Sequence, residues 1–369
     1  GRTVGILADL QGPKIRVGKF ENDKIILKKG DAFILDAGWK KPGNQERVGL
    51  DYKDLPNDVK KGAVLLLNDG LLEFHVTKVK GQEVHCEVVR GGVLSNNKGI
   101  NRKGGGLTAP ALTAKDKRDI KTATLIKADY LAVSFPRNGD DMRLARKLML
   151  KAGGNSMLMA KIERAEAIPV LSDIIDASDA LMVARGDLSV EVGDEAVPGL
   201  QKRMIKMARA KNRLVITATQ MMESMITNPI PTRAEVSDVA NAVLDGTDAV
   251  MLSAETAVGD YPIDTIEAMA RICRKAEREV DDYAADRRLE RVKFTRIDQS
   301  IAMSALFAAT HLKVKALVAL TQSGSTALWM SRTYVGVPIF ALTPVKETLS
   351  KVTLFSGVHP IEFKSDAKN

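Results

Sequence analysis

The chain has 369 residues, 45% of them hydrophobic and 27% charged, and this length predicts two or three globular domains. No run of about 18 uncharged apolar residues occurs, so neither a membrane-spanning helix nor a membrane partner is expected. The formal net charge is +9, but the basic residues are scattered among 46 acidic ones and only 4% of residues are aromatic, which disfavours a nucleic-acid partner. Two distant cysteines, and an opening without a signal-peptide pattern, predict a reducing compartment and a cytoplasmic location.

Six short, almost entirely apolar segments have the pattern of strands buried on both faces of a parallel sheet: TVGILADLQ, YLAVSFPR, SMLMAKIE, ALMVARGD, LVITATQM and DAVMLSAE. Their spacing is typical of βα units, and their polar ends favour an α/β fold of the (β/α)8 TIM-barrel type. A barrel needs eight strands, so we expect the first barrel strands to be missing from this sequence. An open doubly wound sheet is the alternative, but no glycine-rich dinucleotide loop follows any of these strands.

Residues 13–107 interrupt this rhythm with short strand patterns separated by Gly, Asp, Asn and Lys, which predict an inserted all-β barrel. The insertion divides the predicted barrel domain into residues 1–12 and 108–283, and its position at the catalytic face suits a lid. Residues 284–369 begin with a charged helical pattern and predict a C-terminal α/β regulatory domain, which we expect to be incomplete.

Charged residues at two neighbouring strand ends are the strongest candidates for a catalytic site. Lys161 and Glu163 are two residues apart and therefore share one face of a strand, and Arg185 and Asp187 repeat this spacing on the next strand. Carboxylates from adjacent strand ends can share one hard cation, and Mg²⁺ takes one or two carboxylates together with substrate oxygens. Either pair alone is more typical of a structural ion pair than of a functional site.

Glycine and hydroxyl residues near these strand ends have two interpretations each. Gly186 either allows backbone N–H groups to approach an anion, or supplies the positive φ of a tight turn. The hydroxyls of Thr217, Thr219 and Ser253 either orient a carboxylate and relay a proton, or only cap neighbouring backbone groups. The later loop TQSGST is either a phosphate nest or a helix cap formed by Ser325 or Thr326.

Four stretches together resemble the pyruvate kinase family, of the bacterial kind: DLQGPKIR, MAKIERAEAI, MVARGDLSVEVGD and the long segment from Ile216 to Pro262. The resemblance extends over almost the whole chain and implies the domain plan described above. It implies that the phosphoryl group of phosphoenolpyruvate is transferred to ADP, giving pyruvate and ATP in glycolysis. The alternatives are a Mg²⁺-dependent carbon–carbon lyase acting on a pyruvate enolate, and a non-catalytic truncated kinase acting as an oligomer partner or sensor.

The resemblance also implies roles for charged residues. Lys161 would neutralise charge on the phosphoryl group in transfer, and Glu163 and Asp187 would hold Mg²⁺ or Mn²⁺. Arg16, at the junction between barrel and lid, would contact phosphate. Lys98 of the lid would reach the nucleotide phosphates.

The family pattern further assigns the substrate carboxylate, the proton path and two remote sites. Backbone amides of Gly186 and Asp187, with the Thr219 hydroxyl, would hold the carboxylate, and Thr219 and Ser253 would lie on the proton path. Arg233 would lie at a subunit interface of a homotetramer. A sugar-phosphate or nucleotide effector would bind the loop residues Thr321, Ser323, Gly324, Ser325 and Thr326.

Two positions depart from the family pattern. Lys14 stands where potassium-dependent members carry glutamate, so we expect K⁺ not to be required, although Asp9 remains as one potassium ligand. Ser189 stands where glycine is usual, which puts the geometry of the following turn in question.

Overall fold

The computed structural model describes residues 3–279, 296–333 and 336–364. The predicted charged helix from Asp286, and the predicted domain boundary between residues 283 and 284, lie outside the described residues. The strands, numbered in chain order, are β1 Leu7–Asp9, β2 Lys24–Leu27, β3 Ala32–Asp36, β4 Arg47–Gly49, β5 Val64–Leu67, β6 Leu72–Lys80, β7 Glu83–Arg90, β8 Gly92–Ser95, β9 Ile100–Arg102, β10 Tyr130–Val133, β11 Met157–Ile162, β12 Ala180–Ala184, β13 Leu214–Ala218, β14 Ala249–Met251, β15 Leu317–Leu320, β16 Ile339–Thr343 and β17 Val358–Glu362.

The helices are numbered in the same way through the described residues. They are α1 Leu55–Asp58, α2 Ala114–Leu125, α3 Gly139–Lys151, α4 Leu171–Ala177, α5 Arg185–Val192, α6 Val197–Ala210, α7 Arg233–Asp245, α8 Ala254–Ala257, α9 Pro262–Arg278, α10 Ile297–Leu312, α11 Ser325–Arg332 and α12 Lys346–Lys351. None of these described helices is long and apolar enough to cross a membrane.

The six predicted barrel strands form one parallel sheet in the order β1-β10-β11-β12-β13-β14, so that each strand pairs with the next barrel strand along the chain. Every residue of β10, β12 and β13 is buried, as expected for strands covered on both faces. Alternate side chains separate the two faces: Leu131 and Val133 pack with the helices, while Tyr130 and Ala132 join a cluster that includes Leu306 of the C-terminal domain. The parallel register brings the carboxyl ends of all six strands to one edge.

The inserted segment folds into a six-stranded sheet of order β4-β3-β7-β6-β5-β9 and a separate β2–β8 pair. Its core is apolar and centred on Phe33 and Phe74, whose rings meet edge to face at 5.7 Å. The pattern KIRVGKF at residues 14–20 predicts a strand, and this prediction is wrong, because the segment makes only isolated bridges at Arg16, Val17 and Phe20 to three different partners. The backbone of residues 14–20 passes from one part of the lid to another and does not pair along its length with a single strand.

The C-terminal domain contains the parallel sheet β15-β16-β17 together with α10, α11 and α12. The predicted strand, hydroxyl loop and helix around TQSGST are present as β15, a loop and α11. Gly324 occupies the N-cap position of α11 with φ of 86°, and no side chain caps this helix. Helix capping by Ser325 or Thr326 is therefore wrong, since Ser325 is already the first helical residue.

Asp116 joins the two points at which the chain leaves and re-enters the barrel. Its carboxylate is fully buried and accepts hydrogen bonds from the Gly12 amide at 3.1 Å and from the Thr113 amide at 2.8 Å. Gly12 lies just after β1, and Thr113 is the N-cap of α2 in a capping box. One side chain thus fixes both ends of the insertion.

We expect Asp116→Ala to lower the free energy of unfolding by about 3 kcal/mol, because it leaves the Gly12 and Thr113 amides without an acceptor and removes one half of the capping box. Urea unfolding followed by circular dichroism measures this loss. The control is Asp119→Ala on the same helix, which removes only an exposed pair with Lys115 and should cost less than about 0.5 kcal/mol. Equal losses in the two variants would contradict the assignment.

Candidate active site

Lys161, near the end of β11, gathers polar groups from three adjacent strands. Its ammonium lies 3.1 Å from Glu163 Oε1 and 3.1 Å from Asp9 Oδ2, and it donates a hydrogen bond to Ser134 Oγ at 2.9 Å. Asp9 ends β1 and Ser134 directly follows β10. We call Asp9, Lys161, Glu163, Asp187 and Thr219 the mouth cluster.

Glu163 is the most deeply buried carboxylate of the mouth cluster, with 2% of the residue exposed. It accepts a hydrogen bond from the Phe135 amide at 2.8 Å. Burial raises the pKa of Glu163 to about 7, with Lys161 opposing the shift and Asp187 adding to it. For Lys161, burial by itself would lower the pKa, but the Glu163 and Asp9 carboxylates outweigh it and the pKa is raised. The site is therefore electrostatically coupled across β1, β11 and the start of α5.

Asp187 lies in the first turn of α5, where the helix dipole favours a negative charge. Its Oδ1 is 3.0 Å from the ammonium of Lys14, which is also 3.7 Å from Asp69 of the lid. Lys14 therefore places a positive charge directly beside one predicted metal ligand, and it links the lid junction to the barrel mouth.

Gly186 is the second residue of α5, and its amide donates a hydrogen bond to Thr219 Oγ1 at 2.8 Å. Gly186 does not adopt a positive φ, so the tight-turn interpretation is wrong. A Cβ at this position would lie 3.5 Å from Thr219 Oγ1. This is an ordinary van der Waals distance, so the contact between the start of the helix and the threonine does not by itself require glycine.

Thr217 lies in β13 and Thr219 directly follows it, but only Thr219 lies at the mouth. Thr217 is fully buried and contacts Thr247 Oγ1 at 3.1 Å, so its hydroxyl serves the packing between strands. Thr219 follows the strand with φ of 66°, and Gln220 follows with φ of 53°. Left-handed backbone is uncommon for a β-branched residue and occurs most often at functional sites.

Ser189 fits within helix α5, where its hydroxyl donates to the Gly186 carbonyl at 3.0 Å. This internal bond answers the question that the departure from glycine raised, because the helix continues through the position to Val192.

Ser253 lies after β14 and is held by Glu255, which the sequence places at the polar end of DAVMLSAE without a role in the site. The fully buried Glu255 carboxylate accepts hydrogen bonds from the Ser253 amide at 2.7 Å and from the Met222 amide at 3.1 Å. It therefore joins the loop after β14 to the loop after β13, which carries Thr219. The available signal was a carboxylate four residues after the end of β14.

The remaining predicted site residues include Arg16 and Thr321, whose contacts are with residues outside the mouth cluster. Arg16 and Gly99 form an isolated bridge, and Arg16 donates to the Asn97 carbonyl at 3.0 Å, so Arg16 and Lys98 are neighbours in the lid. Arg233 is exposed at the start of α7. In the TQSGST loop, Thr321 accepts from the Gly324 amide at 2.9 Å, whereas Ser323 is exposed.

Glu191, at the end of α5, supports the contact between lid and barrel. It is 5% exposed, its carboxylate accepts from the Ala165 amide at 2.9 Å, and its carbonyl accepts from the lid residue Gly104 at 2.9 Å. Burial raises the pKa of Glu191 to about 7, and the Glu166 carboxylate adds to the shift.

A parallel sheet with charged side chains gathered at its carboxyl edge, under an inserted β lid, defines a barrel enzyme whose chemistry lies at that edge. The family description "Pyruvate kinase, barrel domain" matches residues 1–266, and "Pyruvate kinase, alpha/beta domain" matches residues 299–369. Pyruvate kinase II of Salmonella typhimurium is 57% identical over 100% of this chain and 77% of its own length. The pyruvate kinase of Haemophilus influenzae is 57% identical over 98% of this chain and 76% of its own length.

A crystal structure of a pyruvate kinase from Cryptosporidium parvum superposes with a TM-score of 0.92 at 34% identity, covering 98% of this chain and 76% of that chain. The chain belongs to the pyruvate kinase family and is a phosphotransferase. The resemblance and the fold class predicted from the sequence are confirmed.

The raised pKa of Glu191 predicts a pH-dependent stability. Between pH 4.5 and about 7, Glu191 holds a proton in the folded protein but not in the unfolded chain. The free energy of unfolding therefore falls as the pH rises through this window. Glu191→Gln keeps the acceptor for Ala165 and should be more stable than wild type above pH 7, by on the order of 2 kcal/mol, but not below pH 4.5. Urea unfolding at several pH values measures the difference. Glu195→Gln, at an exposed position, is the control, and a pH-independent difference for Glu191→Gln would refute the prediction.

Proposed function

We propose that the family's reaction, transfer of the phosphoryl group from phosphoenolpyruvate to ADP, takes place at the mouth cluster. The observation that carries this proposal is the Lys161 ammonium in direct contact with Glu163 and Asp9, with Asp187 and Thr219 at the next two strand ends. In the reaction, the bond between phosphorus and the enol oxygen breaks, and a terminal phosphate oxygen of ADP forms the new bond. The enolate that remains takes a proton at its methylene carbon and becomes pyruvate.

Glu163 and Asp187 would hold a divalent cation, Mg²⁺ or Mn²⁺. A site with two carboxylates leaves coordination positions for substrate oxygens, as Mg²⁺ prefers. The carboxylate oxygens of both residues are hard donors, which fit this cation. When bound, it would stabilise negative charge on the phosphoryl and enolate oxygens.

Lys161 would neutralise the equatorial oxygens of the phosphoryl group in transfer, since it is the cation placed between the strand ends. The amides of Gly186 and Asp187, at the start of α5, would bind the substrate carboxylate, which the helix dipole favours. The Thr219 hydroxyl would complete this binding and, with Ser253, lie on the path of the proton. Arg16 and Lys98, neighbours in the lid, would bind the phosphates of phosphoenolpyruvate and ADP.

Lys14 supports activity without K⁺. Its ammonium already supplies a monovalent positive charge 3.0 Å from Asp187. Asp9, assigned to a potassium site by the resemblance, contacts Lys161 instead, so its negative charge is compensated within the protein.

The proposed effector site, subunit interface and cellular location rest on the resemblance to the family and on which side chains are exposed. The exposed Ser323 and the Gly324 turn would bind the phosphate of a sugar-phosphate or nucleotide effector. Arg233 is exposed near the apolar side chains Ile230 and Val236, which are 73% and 38% exposed, and this surface would form an interface of a homotetramer. Cys86 and Cys273 are free thiols, in agreement with a cytoplasmic location.

We expect Lys161→Met to lower kcat by roughly 10³-fold, because the transition state loses its central cation. A coupled assay with phosphoenolpyruvate and ADP measures the rate. The control is Lys211→Met, which removes an ion pair with Asp176 on the helical side of the barrel and should leave kcat unchanged. Wild-type turnover in Lys161→Met would refute the assignment of the site.

We expect wild-type activity at saturating Mg²⁺ to be independent of K⁺, and Lys14→Glu to make it depend on K⁺. The substitution replaces the built-in positive charge with a carboxylate that a monovalent cation must neutralise. The measurement is kcat in K⁺ against a tetramethylammonium salt of equal ionic strength. Lys19→Glu, exposed in the lid, controls for net charge. A steep K⁺ requirement of the wild type would contradict the role of Lys14.

A further inference from the structure

We propose that Arg185 is a positioning residue of the reaction: its guanidinium holds the turn Thr219–Met221 so that the Thr219 hydroxyl faces the substrate, and Asp238 holds the guanidinium. The contacts that carry this inference are separate from those that Lys161 makes with Glu163 and Asp9. The inference rests on the proposed role of Thr219 in carboxylate binding and proton transfer.

The Arg185 guanidinium contacts three consecutive residues of the turn. Nε and NH2 donate to the Thr219 carbonyl at 3.2 and 2.8 Å, and NH2 also donates to the Gln220 carbonyl at 3.0 Å. The sulfur of Met221 lies 2.8 Å from NH2. One side chain thus binds two successive carbonyls of the turn. Together these hydrogen bonds fix the orientation of the turn, which a single hydrogen bond would not do.

The turn needs such support because its backbone is strained. Thr219 and Gln220 have φ of 66° and 53°, and each non-glycine residue in this region costs about 1–3 kcal/mol unless its surroundings hold it there. A free threonine at the end of β13 would relax toward extended backbone, and its hydroxyl would then move relative to the mouth. The hydrogen bonds from Arg185 to both carbonyls oppose this relaxation.

Two adjacent residues of α5 therefore grip opposite parts of Thr219. Arg185 binds its carbonyl through the side chain, while the Gly186 amide donates to its hydroxyl at 2.8 Å. The hydroxyl oxygen thereby lies at the same helix start that would bind the substrate carboxylate, while the hydroxyl donates to the Ala218 carbonyl at 2.6 Å. These two contacts hold the end of β13 and the start of α5 in a fixed relative position.

Asp238 of α7 completes the arrangement from the other side. Its Oδ2 is 2.5 Å from Arg185 NH1, and Gln201 Oε1 lies 3.5 Å from the same nitrogen. The Arg185 side chain is only 9% exposed, and a buried guanidinium requires a counter-ion. Lysine cannot replace it, because a single ammonium lacks the planar fork that reaches two carbonyls and a carboxylate at once.

The test is a double-mutant cycle of Arg185→Lys and Thr219→Ala. Two rates are measured on the full chain with Mg²⁺: turnover in the coupled assay, and exchange of the pyruvate methyl protons with D₂O by NMR in the presence of ATP. We expect Arg185→Lys to slow methyl exchange at least tenfold in the wild-type background and not at all in the Thr219→Ala background. Lys202→Met, which removes an exposed ion pair from α6 to Asp245 of α7, is the control and should leave both rates unchanged.

The outcomes separate this inference from the proposed function. If Thr219→Ala itself leaves exchange unchanged, the proposed role of Thr219 falls and this inference with it. If Thr219→Ala slows exchange but Arg185→Lys does not, or if the two losses multiply, only the positioning role of Arg185 is overturned. Should Arg185→Lys fail to fold by circular dichroism, Asp238→Asn, which keeps the shape of the side chain, carries the same cycle with the same criteria.

Discussion

The site depends on one interaction, the Lys161 ammonium held between the carboxylates of Glu163 and Asp9 and the hydroxyl of Ser134. These partners lie at the ends of three adjacent parallel strands. The ammonium therefore connects the strand ends by side-chain contacts, in addition to the backbone hydrogen bonds between the strands. A buried carboxylate such as Glu163 is costly without a counter-charge. In the proposed function, the same ammonium that compensates the buried carboxylate would also be the cation that stabilises the phosphoryl group in transfer.

A second constraint is that each group of the mouth is fixed by residues outside it. Phe135 donates its amide to Glu163, Glu255 joins the loops that carry Thr219 and Ser253, and Arg185 grips the turn at Thr219. Catalysis by charge placement needs such preorganisation, because donors that must reorient during the reaction lose much of their effect. Membership of the pyruvate kinase family places these contacts in a phosphotransferase.

Much of the barrel could be predicted from the sequence, because buried parallel strands are continuous apolar runs and their polar ends mark one edge of the sheet. The spacing of Lys161 and Glu163 correctly placed both side chains together at the mouth. The features that could not be predicted from the sequence depend on backbone geometry and on contacts between residues far apart in the chain. Thr217 and Thr219 are alike in the sequence, and only the left-handed turn after β13 separates a packing hydroxyl from one at the mouth. Residues 14–20 have a strand pattern, but their partners lie in three different parts of the lid, and no local pattern records this.

The central claim is that Glu163 and Asp187 form one divalent cation site beside Lys161. Its most direct test is a titration of the protein with Mn²⁺ followed by electron paramagnetic resonance, in wild type, Glu163→Gln and Asp187→Asn, with Asp176→Asn as an exposed control. The account predicts one site per chain in wild type and in the control, weakened at least tenfold in both mouth variants. Unchanged Mn²⁺ affinity in both Glu163→Gln and Asp187→Asn would contradict it.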